Sequence, residues 1–406
     1  MRLIPILFAL AQSATPQQKT REVLDLWIAG KYEAIHAMFD STMRKFPVAT
    51  YRQQSEQIKA LGVLNKIGDP ILQNHGGYST VVIRLDYPST ALNFSVSWNK
   101  NGEIAGTYFR PAVKAAAVEW KSPEYSKPDS FTGVDLTIGD DKWKLPATLT
   151  IPKGDGPFPA LVLVHGSGPN DRDESIGGAK VFRDLAQGLS SRGIAVLRYK
   201  KRTLEYPQEC AADPNFTMTT ETVDDALRAA ALLRKRAKID PARVFVLGHS
   251  QGGYMMPRIM QRDPKLAGVV IMAGNVRPLE ELIVEQMEYL ARLERIKKDP
   301  LSAFHLPEQY LVDLKDYHPD AELKKIGMPV LVLQGERDYQ VTMKDFALWR
   351  AAMEGRSNAV FHSYERLNHL FIAGEGKSNP AEYQKPGHVD LQVIDDIANW
   401  IRSRGI

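Results

Sequence analysis

A serine flanked by glycines, Gly248-His-Ser-Gln-Gly252, stands directly after the apolar run Val244-Phe-Val-Leu247. Strand, sharp turn and helix-compatible segment follow one another here, which is the arrangement of a nucleophile elbow. Its turn is so tight that the serine takes a strained backbone conformation, and the glycines two positions away on either side keep side chains from colliding. Ser250 Oγ would then stand at the carboxyl end of a sheet, with the N–H of the next residue beside it. A glycine-rich turn with a solvated serine has the same short pattern, so the chemistry depends on what else the chain supplies.

An activated serine needs a base, an acid that orients the base, and donors for the oxyanion. With an elbow serine the chain order is serine, acid, histidine. Leu331-Val-Leu-Gln-Gly-Glu-Arg-Asp338 sets Asp338 just past a buried strand, with Glu336 as the nearest competitor. Nine histidines compete for the base. His36 and His75 fall in the first part of the chain, His165 and His249 adjoin backbone features of the site, His305 and His318 precede the acid, and His362 alternates within a strand. His369 follows Asp338 by 31 residues, room for one helix and one strand, and His388 is the runner-up before the last helix. For the oxyanion, Leu163-Val-His-Gly-Ser-Gly-Pro169 follows an apolar strand, so the backbone N–H groups of Ser167 and Gln251 are the expected donors. Such a donor contributes about 3 kcal/mol or more. Neither a metal nor an organic cofactor is expected.

These residues need a frame that brings distant strand ends together. Ala160–Val164, Ile194–Leu197, Val244–Leu247, Gly268–Met272 and Val330–Leu333 are continuous apolar runs. Helical stretches at Ala179–Arg192, Thr222–Arg236 and Met343–Glu354 separate some of them. Buried strands alternating with helices predict a parallel sheet covered on both faces. Phe131–Ile138 and Lys144–Ile151 read as a hairpin ahead of it. More than fifty residues separate Gly274 from Val330, and connections this long are usually functional. Leu279–Ile296 and Ala303–Leu323 are expected to form a helical cap, spanning about 277–327.

Before residue 112 the pattern differs. Residues 16 to about 67 have helical spacing, and from Tyr78 the period is two, through Val81, Ile83, Leu85 and then Leu92, Phe94, Val96, Trp98. Helices followed by an antiparallel sheet predict a small α+β domain over 16–111, joined by a linker at 112–129 to a catalytic domain at 130–406. The small domain resembles the cone-shaped NTF2-like domains that precede some bacterial hydrolases, which implies a packing role or the pairing of two copies as a homodimer.

The chain has 406 residues, a formal charge of +4 and a single cysteine, Cys210. An intrachain disulfide is therefore excluded, as is a cysteine-based metal site. The basic clusters Arg198–Arg202 and Arg234–Lys238 read as solvated faces, and no nucleic-acid motif accompanies them. Arg2, the apolar run Leu3–Leu10 and the small residues up to Ala14 have the parts of a short secretory signal, which would direct export to the periplasm or medium; without it the chain would be cytoplasmic. No other run approaches the ~20 apolar residues of a membrane span.

Taken together, His165-Gly-Ser-Gly-Pro-Asn-Asp-Arg172, Val196-Leu-Arg-Tyr-Lys-Lys-Arg202, Gly248-His-Ser-Gln-Gly-Gly253, Gln334-Gly-Glu-Arg-Asp338 and Leu367-Asn-His369 resemble the α/β-hydrolases related to EstD-type esterases and serine-aminopeptidase-like hydrolases. The resemblance covers roughly residues 130 to 404. It implies an α/β-hydrolase fold with Ser250, Asp338 and His369 as catalytic residues. Family members often have Tyr-Asp-Lys-Arg where this chain has Tyr199-Lys-Lys-Arg202, a charge inversion that removes any carry-over of the family's electrostatic preference. The expected function is hydrolysis of small or medium carboxylic esters through an acyl-enzyme. One alternative is a peptidase or amidase on the same site, with Glu280, Glu281, Glu285 and Glu288 as anchors for an amino terminus. The other is a binding protein whose hydrolase domain is inert.

Overall fold

The structure is a computed structural model that describes residues 14–404 apart from 42, 46, 60, 76–77, 89, 113–119, 140–141 and 295–307. The expected signal segment lies almost wholly outside the described residues, as does His305. The chain divides into two compact units, residues 1–117 and 118–406.

The larger unit is built on eight strands: β1 (Phe131–Ile138), β2 (Leu145–Pro152), β3 (Phe158–Val164), β4 (Ala195–Tyr199), β5 (Ile239–His249), β6 (Gly268–Met272), β7 (Val330–Gly335) and β8 (Ala359–Tyr364). Their order across the sheet is β1-β2-β4-β3-β5-β6-β7-β8. β3 to β8 run parallel, while β1 and β2 form an antiparallel hairpin whose second strand pairs antiparallel with β4. Val, Leu and Ile fill the inner strands because both faces are covered. Val162, Val246 and Ile271 join one buried cluster, whereas Leu161, Leu247 and Val270 join the other. Each such side chain contributes ~1.5–3 kcal/mol by leaving water. The helices Val181–Ser190 and Leu391–Arg402 cover one face, where Gly188 lets them approach: a Cβ there would come within 2.8 Å of Ile394.

The long connection between β6 and β7 contains a helix, Leu279–Glu294, and two short ones, Glu308–Leu314 and Pro319–Leu323. Proline begins the second short piece, where its missing N–H costs nothing. Asp313 ties this segment down by accepting from Thr219 N at 2.9 Å and from Arg258 at 2.8 Å, and Tyr317 OH donates to the Tyr254 carbonyl at 2.8 Å.

Residues ahead of β1 also pack on the rest of the larger unit. Trp120 Nε1 donates to Asp184 at 3.2 Å, and Tyr125 OH donates to the Val389 carbonyl at 2.8 Å.

The smaller unit has its own core. Helices Pro16–Ile28, Tyr32–Ala37 and Val48–Lys59 bring Val23, Leu24 and Trp27 onto Val81, Phe94 and Val96 of an antiparallel sheet. The helical reading extends too far here. After Lys59 the chain turns and forms two short strands, Lys66–Ile67 and Ile71–His75, both paired with Tyr78–Asp86. Cross-strand pairing overrides the weak helical spacing of Leu61 and Leu64.

Candidate active site

Parallel strands deliver their following loops to one edge, and the residues singled out above follow β3, β5, β7 and β8. Ser250 follows β5 directly and has φ 52° and ψ −114°, a conformation that costs a non-glycine residue ~1–3 kcal/mol. It persists because the turn around it is closely packed. A Cβ on Gly248 would lie 2.2 Å from Gly252, and one on Gly252 would lie 2.4 Å from the Val164 carbonyl oxygen. The Ser250 N–H donates to the Met272 carbonyl at 2.9 Å, holding the elbow to the end of β6.

Asp338 and His369 are brought together, with His369 Nδ1 2.6 Å from Asp338 Oδ2 and both side chains almost wholly buried. The carboxylate is fully used: Oδ1 accepts from Gln340 N at 2.8 Å and Val341 N at 3.0 Å, and Oδ2 also accepts from Gln334 Nε2 at 3.2 Å. An ionised carboxylate only accepts, so Nδ1 carries the proton and Nε2 is left as the basic nitrogen. No hydrogen bond joins Ser250 Oγ to His369 among the described residues. Their link runs through His249, whose Nε2 contacts the His369 carbonyl at 3.0 Å and whose ring centroid lies 4.9 Å from that of His369.

The competitors lie elsewhere. Glu336 accepts from Ser363 Oγ at 2.8 Å and contacts neither histidine. His388 pairs with the buried Asp184 at 3.1 Å. His165 is buried against Phe182 and Tyr199, and burial pushes its pKa down to about 4, so it is neutral.

The loop after β3 passes close to the serine, since a Cβ on Gly166 would lie 3.2 Å from that of Ser250. The backbone N–H groups of Ser167 and Gln251 donate to no other group among the described residues. Glu174 and Glu221, which the sequence reading left out, and Lys201, which it read as solvated, hold this region. Glu174, at φ 48° and buried, accepts from the Gly166 N–H at 2.8 Å and lies 2.9 Å from His249 Nδ1. Burial opposes the charge of both, but each outweighs that cost for the other, so the His249 pKa rises and the Glu174 pKa falls. Lys201 Nζ donates to the Gly166 carbonyl at 2.7 Å and pairs with Glu221 at 3.2 Å.

That arrangement corrects the expectation of a solvated face at Arg198–Arg202. Arg198 pairs with Asp173, Lys201 with Glu221 and Arg202 with Asp225 at 2.5 Å, and all three cations are buried. Only Lys200, half-buried, faces outward, with Glu205 at 2.5 Å. Buried cations demand nearby carboxylates, and those come from segments distant in sequence. The only local signal was the place of the three cations within the motif segment Val196–Arg202.

Beside Asp338 and Tyr339 opens a cavity of about 800 Å³, lined on the cap side by Glu280, Glu281, Glu285 and Glu288. Ser250 and His369 do not line it. Arg277 and Lys344 neutralise Glu285, each at 2.6 Å.

Residues 181–386 match the model of the prolyl oligopeptidase family. The chain is 42% identical over 341 residues to the Esterase EstD of Thermotoga maritima, an alignment covering 80% of each protein. Among solved structures, an esterase of Pyrococcus furiosus is similar at 16% identity and a TM-score of 0.47, over 68% of this chain and 94% of that one. Est1E of Butyrivibrio proteoclasticus is similar at 15% identity and a TM-score of 0.46, over 66% of this chain and 98% of that one. By the extent of these sequence matches, the chain belongs to the prolyl oligopeptidase family and is a hydrolase of the α/β-hydrolase fold.

Proposed function

We propose that the protein hydrolyses carboxylic esters, with Ser250 as nucleophile, His369 as general base and Asp338 as the group that orients it. The supporting observation is the buried Asp338–His369 pair at the sheet edge that carries the strained serine. Ser250 Oγ attacks the ester carbonyl as His369 Nε2 takes its proton. Asp338 keeps the tautomer and stabilises the imidazolium. The backbone N–H groups of Ser167 and Gln251 receive the developing oxyanion, and neither would have to leave another acceptor. The imidazolium protonates the leaving alcohol, and water then cleaves the acyl-enzyme by the same route. The 42% identity to an enzyme named as an esterase supports ester over amide substrates.

A peptidase reading has two observations in its favour, the match to the prolyl oligopeptidase family and the acidic cap helix along the cavity beside Asp338. Turnover of a p-nitrophenyl ester chain-length series, measured beside aminoacyl p-nitroanilides with wild type and Ser250→Ala, separates the two. Ester turnover that vanishes in the variant is the expected outcome; turnover confined to anilides would transfer the assignment to a peptidase. Unchanged ester turnover in the variant would sink the serine mechanism. Covalent labelling of wild type by a fluorophosphonate is expected, and its failure on folded protein would revive the inert-domain alternative.

A further inference from the structure

The two expected oxyanion donors sit on different loops, yet one buried ion pair touches both. Glu221 and Lys201 are each nearly inaccessible to solvent. Lys201 Nζ donates to the Gly166 carbonyl at 2.7 Å. Gly166 C=O and Ser167 N–H belong to one planar, trans peptide, so they point in opposite directions. Fixing the carbonyl on one side therefore fixes the N–H on the other. A cation at the carbonyl also polarises the amide and makes its N–H a stronger donor.

Glu221 completes the arrangement from a single π-helical turn, Thr219–Val223, of the kind often found at functional sites. Its Oε1 holds Lys201 at 3.2 Å and accepts from Thr203 Oγ1 at 3.0 Å. Its Oε2 accepts from Gln251 Nε2 at 2.8 Å and from Tyr310 OH, on the cap segment, at 2.9 Å. Gln251 Nε2 bonds Thr222 Oγ1 as well, at 2.9 Å, so the residue after the serine is held by its side chain while its backbone N–H stays unused. Burial opposes the Glu221 charge, but Lys201, Gln251 and Tyr310 outweigh it and lower its pKa, which keeps Glu221 a carboxylate.

We propose that Lys201 is a positioning residue of the oxyanion hole: its Nζ sets the tilt of the Gly166–Ser167 peptide and so aims the Ser167 N–H, while Glu221 locks Lys201, Gln251 and the cap residue Tyr310 into one unit. The inference rests on the reading of Ser167 and Gln251 as oxyanion donors. A burial this complete is costly unless every member is satisfied, which makes the unit rigid. Rigidity is what an oxyanion hole requires, because donors already in place need not reorganise as charge develops.

The test uses the full chain with Lys201→Met, Lys201→Arg and the double variant Lys201→Met/Glu221→Gln, which removes both charges and leaves no lone buried ion. Three quantities are read: kcat and KM on a short p-nitrophenyl ester, inhibition by a trifluoromethyl ketone that forms an oxyanion on the enzyme, and Tm. Removing the Nζ should lower kcat about ten- to a hundredfold, less than the ~10²–10³ of deleting a donor outright. KM should stay near wild type, and ketone affinity should fall in step with kcat. Arginine should restore part of both. The double variant should recover Tm but not kcat. A double variant that regains Tm, kcat and ketone affinity together would reduce Lys201 to a structural ion and overturn the proposal. Ser250→Ala, run in parallel, distinguishes the two levels: if it keeps turning over ester, the serine reading fails and this inference with it, whereas a dead Ser250→Ala beside a fully active double variant defeats the Lys201 inference alone.

Discussion

At the scale of single residues, the site depends on what surrounds each group more than on its identity. Asp338 is useful because four donors, including His369, saturate its carboxylate, and Glu336, two positions away, lacks that setting. Asp338→Asn should keep the fold and lower kcat about 10⁴-fold, because the amide's N–H would favour the wrong imidazole tautomer. A pre-steady-state burst retained at normal size and rate in that variant would argue against the role. Gly252→Ala is predicted to lose both stability and activity, since its Cβ would meet the Val164 carbonyl at 2.4 Å with no flexible atom to give way. A Tm equal to wild type would contradict the packing argument. Cys210 offers a contrasting case: burial pushes its thiol up to about 12, so it should react with iodoacetamide only on unfolding. Rapid labelling of native protein would show that the surrounding loop opens.

At the scale of elements, His388 and Asp184 join the approach to the last helix to the helix Val181–Ser190, and Trp120 reaches the same carboxylate. The hydrogen bond that His388 Nδ1 donates to Asp184 raises the His388 pKa above its ordinary 6.5, against a smaller opposing effect of burial. A histidine with a raised folded-state pKa contributes stability that is fully present below pH 6.5 and is lost as pH rises through the folded value. Asp184, whose own pKa is raised by burial, loses its contribution in the same direction but over a lower window, as pH rises from its ordinary 3.8. Tm should therefore fall as pH climbs above 6.5, and His388→Gln should flatten that part of the profile. The His388 side chain is 36% exposed, so solvent screening keeps the effect small. A wild-type profile already flat from pH 6 to 8 would dismiss the contact as a source of pH dependence.

At the scale of the molecule, the two units have separate cores: Val23, Trp27 and Phe94 belong to one, and the sheet β1 to β8 with its helices to another. All the residues proposed for chemistry lie in residues 118–406. A chain reduced to that span, which retains Trp120 and Tyr125 on their partners, should fold and keep the ester turnover of the whole protein. Loss of turnover in a folded 118–406 chain would assign the smaller unit a part in the reaction. Among the described residues no helix is long and apolar enough to cross a membrane.

The parallel strands and the elbow are legible in the chain alone. Continuous apolar runs such as Val244–Leu247 are legible because burial on both faces forbids polar residues there, and the elbow glycines because no side chain fits the turn. Ser250, Asp338 and His369 stand out by their positions after apolar runs and their order along the chain. The partner of each charge, by contrast, depends on the folded arrangement. Arg198, Lys201 and Arg202 look like a solvated basic stretch, and their burial against Asp173, Glu221 and Asp225 appears only once β3, β4 and the segments that follow are assembled. Periodicity along the chain reports which face a residue shows, but ion pairs join residues whose separation in sequence is arbitrary. The buried carboxylates Glu174 and Glu221 could be assigned to the serine loop only when the fold had carried them there.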